Sequence, residues 1–359
     1  MVEYIRTERA KRGDKVARTL YDDKGRLLIK EGNPLTEMGI KVIKDMGYKG
    51  MYIENESMVR REDIPIPEPL ISDLQCMQII ALMKDIVTCD NIKYDPFDPT
   101  FHVYRKKMEE YVKDLVDVLH EHEDNNTLLL ETEDVRTFHT WLYYHSLNTC
   151  LISIGIAIKL GLPKEEVTNI AIGALFHDVG KMFIPRDLVN KVNVTEKEKA
   201  EIRKHSESGF RLFQRINSYT VSTTYGIWFH HEREDGSGYP NGVKGDKIPL
   251  AAKIVGLASS YDNMINYNPF HTNPMMQSEA LEQLGGDKRF NIECVKALMR
   301  FVVPYPVGTK VKLSDGREAL VLKNVPGSPL RPYLICGREL LELSTDANLL
   351  NLVITEVIK

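Results

Sequence analysis

The spacing of apolar and polar positions changes character twice along the chain, near residue 64 and again after residue 303. In residues 1–63, short alternating runs flank one helical period. Lys15–Leu20 and Leu27–Lys30, on either side of Asp23-Lys24-Gly25, predict a hairpin. Leu35–Met46 predicts a helix with Thr36 as its N-cap and Gly47 beyond its end, and Met51–Ile53 predicts a returning strand. Ile64-Pro65-Ile66-Pro67-Glu68-Pro69 predicts a stiff linker over 64–70, because each proline fixes φ and removes a donor. From 71 to 303 the period is mostly helical: Tyr104–Leu119, Leu142–Leu160, Lys164–Phe176, Glu196–Ile216 and Glu279–Phe301. Gly161-Leu162-Pro163 closes one helix and opens the next. After Pro304 an alternating pattern returns in Thr309–Leu313, Ala319–Lys323, Tyr333–Ile335 and Asn351–Ile354, with a turn at Ser314-Asp315-Gly316. The expected architecture is mainly α. A helical domain over 71–303 lies between a small α/β N-terminal module (1–63) and a β-rich C-terminal appendage (304–359).

Composition narrows the class. The 359 residues are 43% hydrophobic, enough for a sizeable core, and carry a formal net charge of −4 without a long run of one sign. That argues against binding of a nucleic-acid polymer or an anionic membrane. No stretch approaches a membrane span, and the N-terminal MVEYIRTERAKRGDK lacks the apolar core of a signal peptide. The five cysteines form no CxxC pair, so they read as core residues in a reducing cytoplasm.

Histidine placement suggests the chemistry. Among ten histidines, His177-Asp178 follows an apolar helical run, His230-His231 precedes a Gly-rich loop, and His145 and His205 sit in helical segments. Imidazole with carboxylate suits divalent first-row metals such as iron or manganese. Lys181, four residues after His177, falls on the same face if the helix continues, where it can neutralise a phosphate without competing for a metal. Gly180 allows close backbone approach or ends the helix. A metal pair would lower the pKa of a water and so supply a nucleophile for phosphorus.

HDVGK at 177–181 followed by HHEREDGSGYPNGVKGDKIP at 230–249 closely resembles the HD-GYP family. IPRDLVNKVNVTEKE (184–198) and KHSESGFRLF (204–213) look like the family's connecting helix and third histidine motif, so the resemblance spans roughly 135–300. It implies an HD-type helical bundle and hydrolysis of cyclic di-GMP, or a related cyclic dinucleotide, to pGpG and, on further cleavage, GMP. It implies two divalent metals held by His145, His177, Asp178, His205, His230 and His231, with Asp178 bridging. Lys181 would contact the scissile phosphate. Gly236, Gly238, Tyr239 and Pro240 would shape the loop lining the substrate pocket. Protein partners would dock through the N-terminal module; the oligomeric state stays open.

The sequence departs from the family at three places. Where relatives carry a metal-ligand aspartate in a helix after the GYP loop, a gap-free alignment puts Ser259, and the motif's second aspartate survives as Asp262. A neutral hydroxyl is a poorer ligand for a hard cation. Trp141 stands where three-metal members carry a glutamate, which implies at most two metals and turns the indole toward the pocket, for packing or for guanine stacking. Asn268-Pro269-Phe270-His271 replaces R-P-Y-R, losing two phosphate-gripping arginines. Two functions therefore remain open: a phosphodiesterase whose six ligands still assemble a working centre, with water or Asp262 covering for Ser259, or a weak or inactive relative that serves as a cyclic-dinucleotide sensor or protein-interaction module. Of the remaining features, Glu232, Glu234 and Asp235 read as a solvated acidic loop, with Asp235 also able to cap the turn at Gly236, and Trp228 and Phe229 read as core.

Overall fold

The computed structural model describes residues 2–21, 26–45, 48, 50–54, 71, 73–88, 99–121, 141–189, 191, 193–216, 219–266, 275–305, 307–325 and 327–358. The N-terminal part holds β1 (Val2–Arg6), β2 (Lys15–Val16), β3 (Leu20–Tyr21), β4 (Leu27–Ile29), α1 (Glu37–Asp45) and β5 (Gly50–Glu54). Thr36 caps α1 by accepting from Gly39 N at 2.9 Å. The expected hairpin is shorter than its sequence pattern. β3 pairs with β4, but β2 leaves them and pairs with β5, so that Val16 lies opposite Ile53 in the core. The order of that sheet is β1-β5-β2, antiparallel throughout. The predicted turn at 23–25 and the linker at 64–70 lie outside the described residues.

The helical part comprises α2 (Asp73–Thr88), α3 (Pro99–Glu121), α4 (Trp141–Lys159), α5 (Lys164–Leu175), α6 (Arg186–Val189), α7 (Glu196–Arg203), α8 (His205–Ile216), α9 (Val221–Phe229), α10 (Leu250–Ile265), α11 (Gln277–Gly286) and α12 (Ile292–Met299). α4 has no charged residue before Lys159 and is buried on every side from Tyr144 to Ile158, which makes it the central helix. It packs against α5 and α10, and α9 packs against α5, α8 and α10.

Two predicted helices are each broken in two. Glu196–Ile216 breaks at Lys204, where His205 Nδ1 bonds Ile202 O at 2.7 Å and Ser206 Oγ bonds Arg203 O at 3.2 Å. These side chains take up carbonyls near the end of α7 that a continuous helix would use itself. Glu279–Phe301 breaks after Gly285-Gly286. Asp287 Oδ1 accepts from Arg289 N at 2.9 Å, and Asn291 Oδ1 then caps α12 by accepting from Glu293 N at 3.1 Å.

After α12 come β6 (Lys310–Leu313), β7 (Glu318–Lys323), β8 (Tyr333–Cys336), β9 (Glu339–Glu342) and β10 (Ile354–Val357), an antiparallel sheet of order β10-β6-β7-β8-β9. The last strand starts three residues later than Asn351 because Asp346 accepts from Asn348 N at 2.8 Å and closes a turn of 3-10 helix over Ala347–Leu349. The chain divides into two compact units, one holding β1 to β10 with α1 and the other holding the helices from α2 to α12. No helix among the described residues is long and apolar enough to cross a membrane.

Candidate metal centre

Six side chains that lie far apart in the sequence converge inside the helical unit. His145 comes from α4, His177 and Asp178 from the end of α5, His205 from the start of α8, and His230 and His231 from the end of α9. All but His231, which is partly exposed, are buried. The ring orientations follow from what each Nδ1 contacts. His177, His205 and His230 place Nδ1 at 2.7, 2.7 and 2.8 Å from the carbonyls of Ala174, Ile202 and Ile227. A carbonyl only accepts, so each Nδ1 must carry the proton and each Nε2 is a bare acceptor. His145 Nδ1 lies 2.7 Å from Asp262 Oδ2, which fixes the same tautomer.

The bare acceptors then face one another. His145 Nε2 is 3.2 Å from His177 Nε2, and His205 Nε2 is 3.3 Å from His230 Nε2. Two lone pairs at that distance repel; a cation between them removes the conflict. The donor set therefore fits divalent metal at two places. His145, His177 and Asp178 form one group, and Asp178, His205, His230 and His231 the other, with all ligand atoms of each group within 4.8 Å of one another. Asp178 belongs to both. Its Oδ1 is 3.2 Å from His205 Nε2, and its Oδ2 is 3.4 Å from His177 Nε2.

Electrostatics keep these groups in metal-binding protonation states. Burial lowers the pKa of His177 to about 3 and that of His205 to about 4, against the opposing pull of Asp178. Burial alone would raise Asp178, but Lys181 and three histidines outweigh it and hold the carboxyl well below its usual range. Lys181 Nζ donates to Asp178 Oδ2 at 2.5 Å. It reaches back because 177–181 is not a continued α-helix; Val179–Phe183 tightens into a 3-10 turn. Gly180 permits that turn. A Cβ there would lie 1.9 Å from His205 O and 2.7 Å from Gly209 N, so a side chain would push the start of α8 away.

The loop after His231 is built from its own acidic residues. Glu232 is not solvated as expected. It is buried and accepts from Asn241 N at 2.7 Å and Val243 N at 3.1 Å, tying the two ends of the loop together. Glu234 pairs with Lys253 at 3.0 Å, and Asp235 accepts from Ser237 N at 2.9 Å across the turn at Gly236. A Cβ at Gly238 would come within 2.3 Å of His231 O, so glycine lets the loop pass over the histidine backbone. That passage lays Tyr239 on His231, with centroids 4.4 Å apart and planes at 20°. Tyr239, Trp141 and Lys181 line a cavity of about 430 Å³ together with His205, His231 and Arg203. Gly236, Gly238 and Pro240 are in the loop but not on the cavity wall. Trp228 and Phe229 stack on each other at 4.4 Å, and Trp228 stacks on Phe210 at 4.1 Å, as packing residues.

Residues 140–290 match a family model described as an HD domain. Over 206 residues the chain is 30% identical to the cyclic di-GMP phosphodiesterase PA4108 of Pseudomonas aeruginosa, covering 57% of this chain and 50% of the relative. Over 220 residues it is 34% identical to a cyclic di-GMP phosphodiesterase of Thermotoga maritima, covering 56% and 58%. Residues 140–290 therefore carry an HD domain, and its motifs are similar to those of the HD-GYP family. The solved structure of Bd1817, an HDG"Y"P protein from Bdellovibrio bacteriovorus, aligns over 83% of this chain and 98% of its own with a TM-score of 0.50 at 17% identity, a likeness of fold. The chain spans about half the length of the two curated relatives.

The departures from the HD-GYP pattern now have positions. Ser259 Oγ lies 3.2 Å from His145 Nε2, on the ring edge that faces His177. Asp262, expected in the substrate pocket, is instead buried behind His145 on the Nδ1 side, and its other oxygen accepts from Asn148 and Asn266 at 2.8 Å each. It orients a histidine and faces away from the centre. Trp141 occupies the cavity wall, 6.2 Å from the His145 ring, with Lys181 Nζ 5.2 Å above it. Asn268 and His271 lie outside the described residues. Sequence reasoning missed Asn148, although it sits one turn from His145, and Arg233, whose guanidinium holds the carbonyls of His230 and Glu232 at 3.0 and 2.8 Å.

Proposed function

We propose that the chain is a metal-dependent phosphodiesterase that opens cyclic di-GMP to linear pGpG and, on further cleavage, GMP. The observation carrying this is the pair of facing Nε2 contacts on either side of one shared carboxylate, Asp178. The names of the two curated relatives support the substrate class. Two divalent transition-metal ions, iron or manganese, would supply a nucleophile at neutral pH and polarise the phosphoryl oxygen. His145, His177, His205, His230 and His231 would hold them and Asp178 would bridge. Lys181 stabilises negative charge on the scissile phosphate or leaving oxygen. Tyr239 and Trp141, from distant parts of the sequence, line the cavity the dinucleotide would enter. Cytoplasmic location follows from the substrate class.

A second reading, a cyclic-dinucleotide sensor with little or no turnover, is favoured by the hydroxyl of Ser259 where an anionic oxygen would neutralise the centre. Elemental analysis after anaerobic purification, paired with a cyclic di-GMP turnover assay, decides between them. The expected result is close to two ions per chain, release of pGpG, and loss of both ions in Asp178→Ala. Metal with nucleotide binding but no turnover establishes the sensor. A metal-free wild type that leaves the nucleotide intact overturns both.

A further inference from the structure

We propose that Arg203 is a substrate-positioning residue that grips the phosphate of the cyclic dinucleotide not under attack. This deepens the phosphodiesterase reading and rests on it.

The local sequence explains why Arg203 is available. Thr195 and Glu198 form a capping box, with Thr195 N donating to Glu198 at 2.8 Å and Glu198 N donating to Thr195 Oγ1 at 3.3 Å. The box fixes where α7 begins, and so puts Lys199 and Arg203, four residues apart, on one helix face. Both line the cavity. Several nearby cations are matched by carboxylates: Lys191 to Glu198 at 2.7 Å, Lys199 to Glu196 at 2.7 Å, Lys204 to Glu201 at 2.5 Å and Arg211 to Glu207 at 2.5 Å. Among the described residues Arg203 has no ion pair. Its guanidinium instead lies over the Tyr239 ring, 5.2 Å from the centroid.

That placement suits an anion. A cation–π contact at this distance holds the guanidinium over the ring without using its N–H donors, which leaves them for bidentate contact with a phosphate. The ring beneath it is stacked on His231, so the cation is one aromatic ring away from the candidate metal centre. In the same cavity, Lys181 sits over Trp141 at 5.2 Å. The cavity thus has two cation-on-aromatic couples, one whose lysine is paired with Asp178 and one whose arginine has no carboxylate partner among the described residues. A cyclic dinucleotide has two phosphates. The couple at Asp178 serves the scissile one, and Arg203 is placed for the other. From a different helix, it supplies a guanidinium that Asn268 and His271 do not.

The test compares ligands with two phosphates and one. Calorimetric titration of the metal-loaded full chain measures Kd for cyclic di-GMP and for GMP in wild type, Arg203→Ala and Arg203→Lys. Arg203→Ala should weaken cyclic di-GMP about tenfold or more, roughly 1.4 kcal/mol. GMP should weaken much less, so the preference for the dinucleotide narrows, while bound metal stays at the wild-type level. Arg203→Lys keeps the charge but loses the planar fork, and should fall between. Wild-type affinity for cyclic di-GMP in Arg203→Ala overturns the inference, as does equal weakening of both ligands. A metal-loaded wild type that binds no cyclic di-GMP overturns the phosphodiesterase reading and this inference together.

Discussion

At the residue scale, the centre depends on which atom each side chain leaves unsatisfied. Three carbonyls and Asp262 consume the Nδ1 donors and aim bare Nε2 atoms inward. Ser259 completes that inner ring with a hydroxyl, so Ser259→Asp should tighten metal binding or raise turnover, as read by metal titration and the cyclic di-GMP assay. Lower stability with no gain in either would place the residue outside the metal shell. Lys181 acts on a different partner. Lys181→Ala should keep most bound metal yet lose about 2.7–4 kcal/mol of transition-state stabilisation, seen as a drop in kcat. Unchanged turnover would leave Lys181 only its ion pair with Asp178.

At the element scale, two short irregular pieces do what regular helices cannot. The 3-10 turn over Val179–Phe183 bends Lys181 toward Asp178, and the break at Lys204 lets His205 start a new helix aimed at the same carboxylate. Gly180 is where these two pieces touch. Gly180→Ala would drive a Cβ into the backbone at His205 and Gly209, which cannot rotate away. We expect about 1–3 kcal/mol or more of destabilisation, together with reduced metal content. A wild-type denaturation midpoint with full metal content would show that the turn shifts without disturbing the centre.

At the scale of the whole molecule, burying titratable groups around one point makes stability depend on pH. His177 falls to about 3 and His205 to about 4 from an unfolded value of 6.5. Between those values the unfolded chain binds more protons than the folded one, so folding stability falls as pH falls. Each such histidine contributes a slope of roughly 1.4 kcal/mol per pH unit over its window. Asp178, also depressed, adds loss at lower pH in the same direction. Metal-stripped protein should therefore melt at progressively lower temperature below about pH 6.5, and bound metal should dissociate over the same range as protons compete for Nε2. A melting temperature that is flat from pH 7 to 4 would mean these histidines are solvated.

Much of this protein was legible in the sequence. The helical period of the middle, the alternation at both ends, and the spacing of HDVGK, His205 and the double histidine pointed to the HD domain, its likeness to the HD-GYP family and its candidate ligands, because these are local patterns of side-chain type. Other features required the tertiary structure. Asp262 looked like a spare ligand, yet its register on α10 places it behind His145. Glu232 looked solvated, yet the loop folds two backbone donors onto it. β2 looked like half a hairpin, yet Val16 is buried better beside Ile53. Arg203 carries no distinguishing local pattern, and only the fold of α7 places it over Tyr239. In each case the sequence supplied the residue and its local period, while the partner lay 9 to 117 positions away, where only packing brings chain segments together.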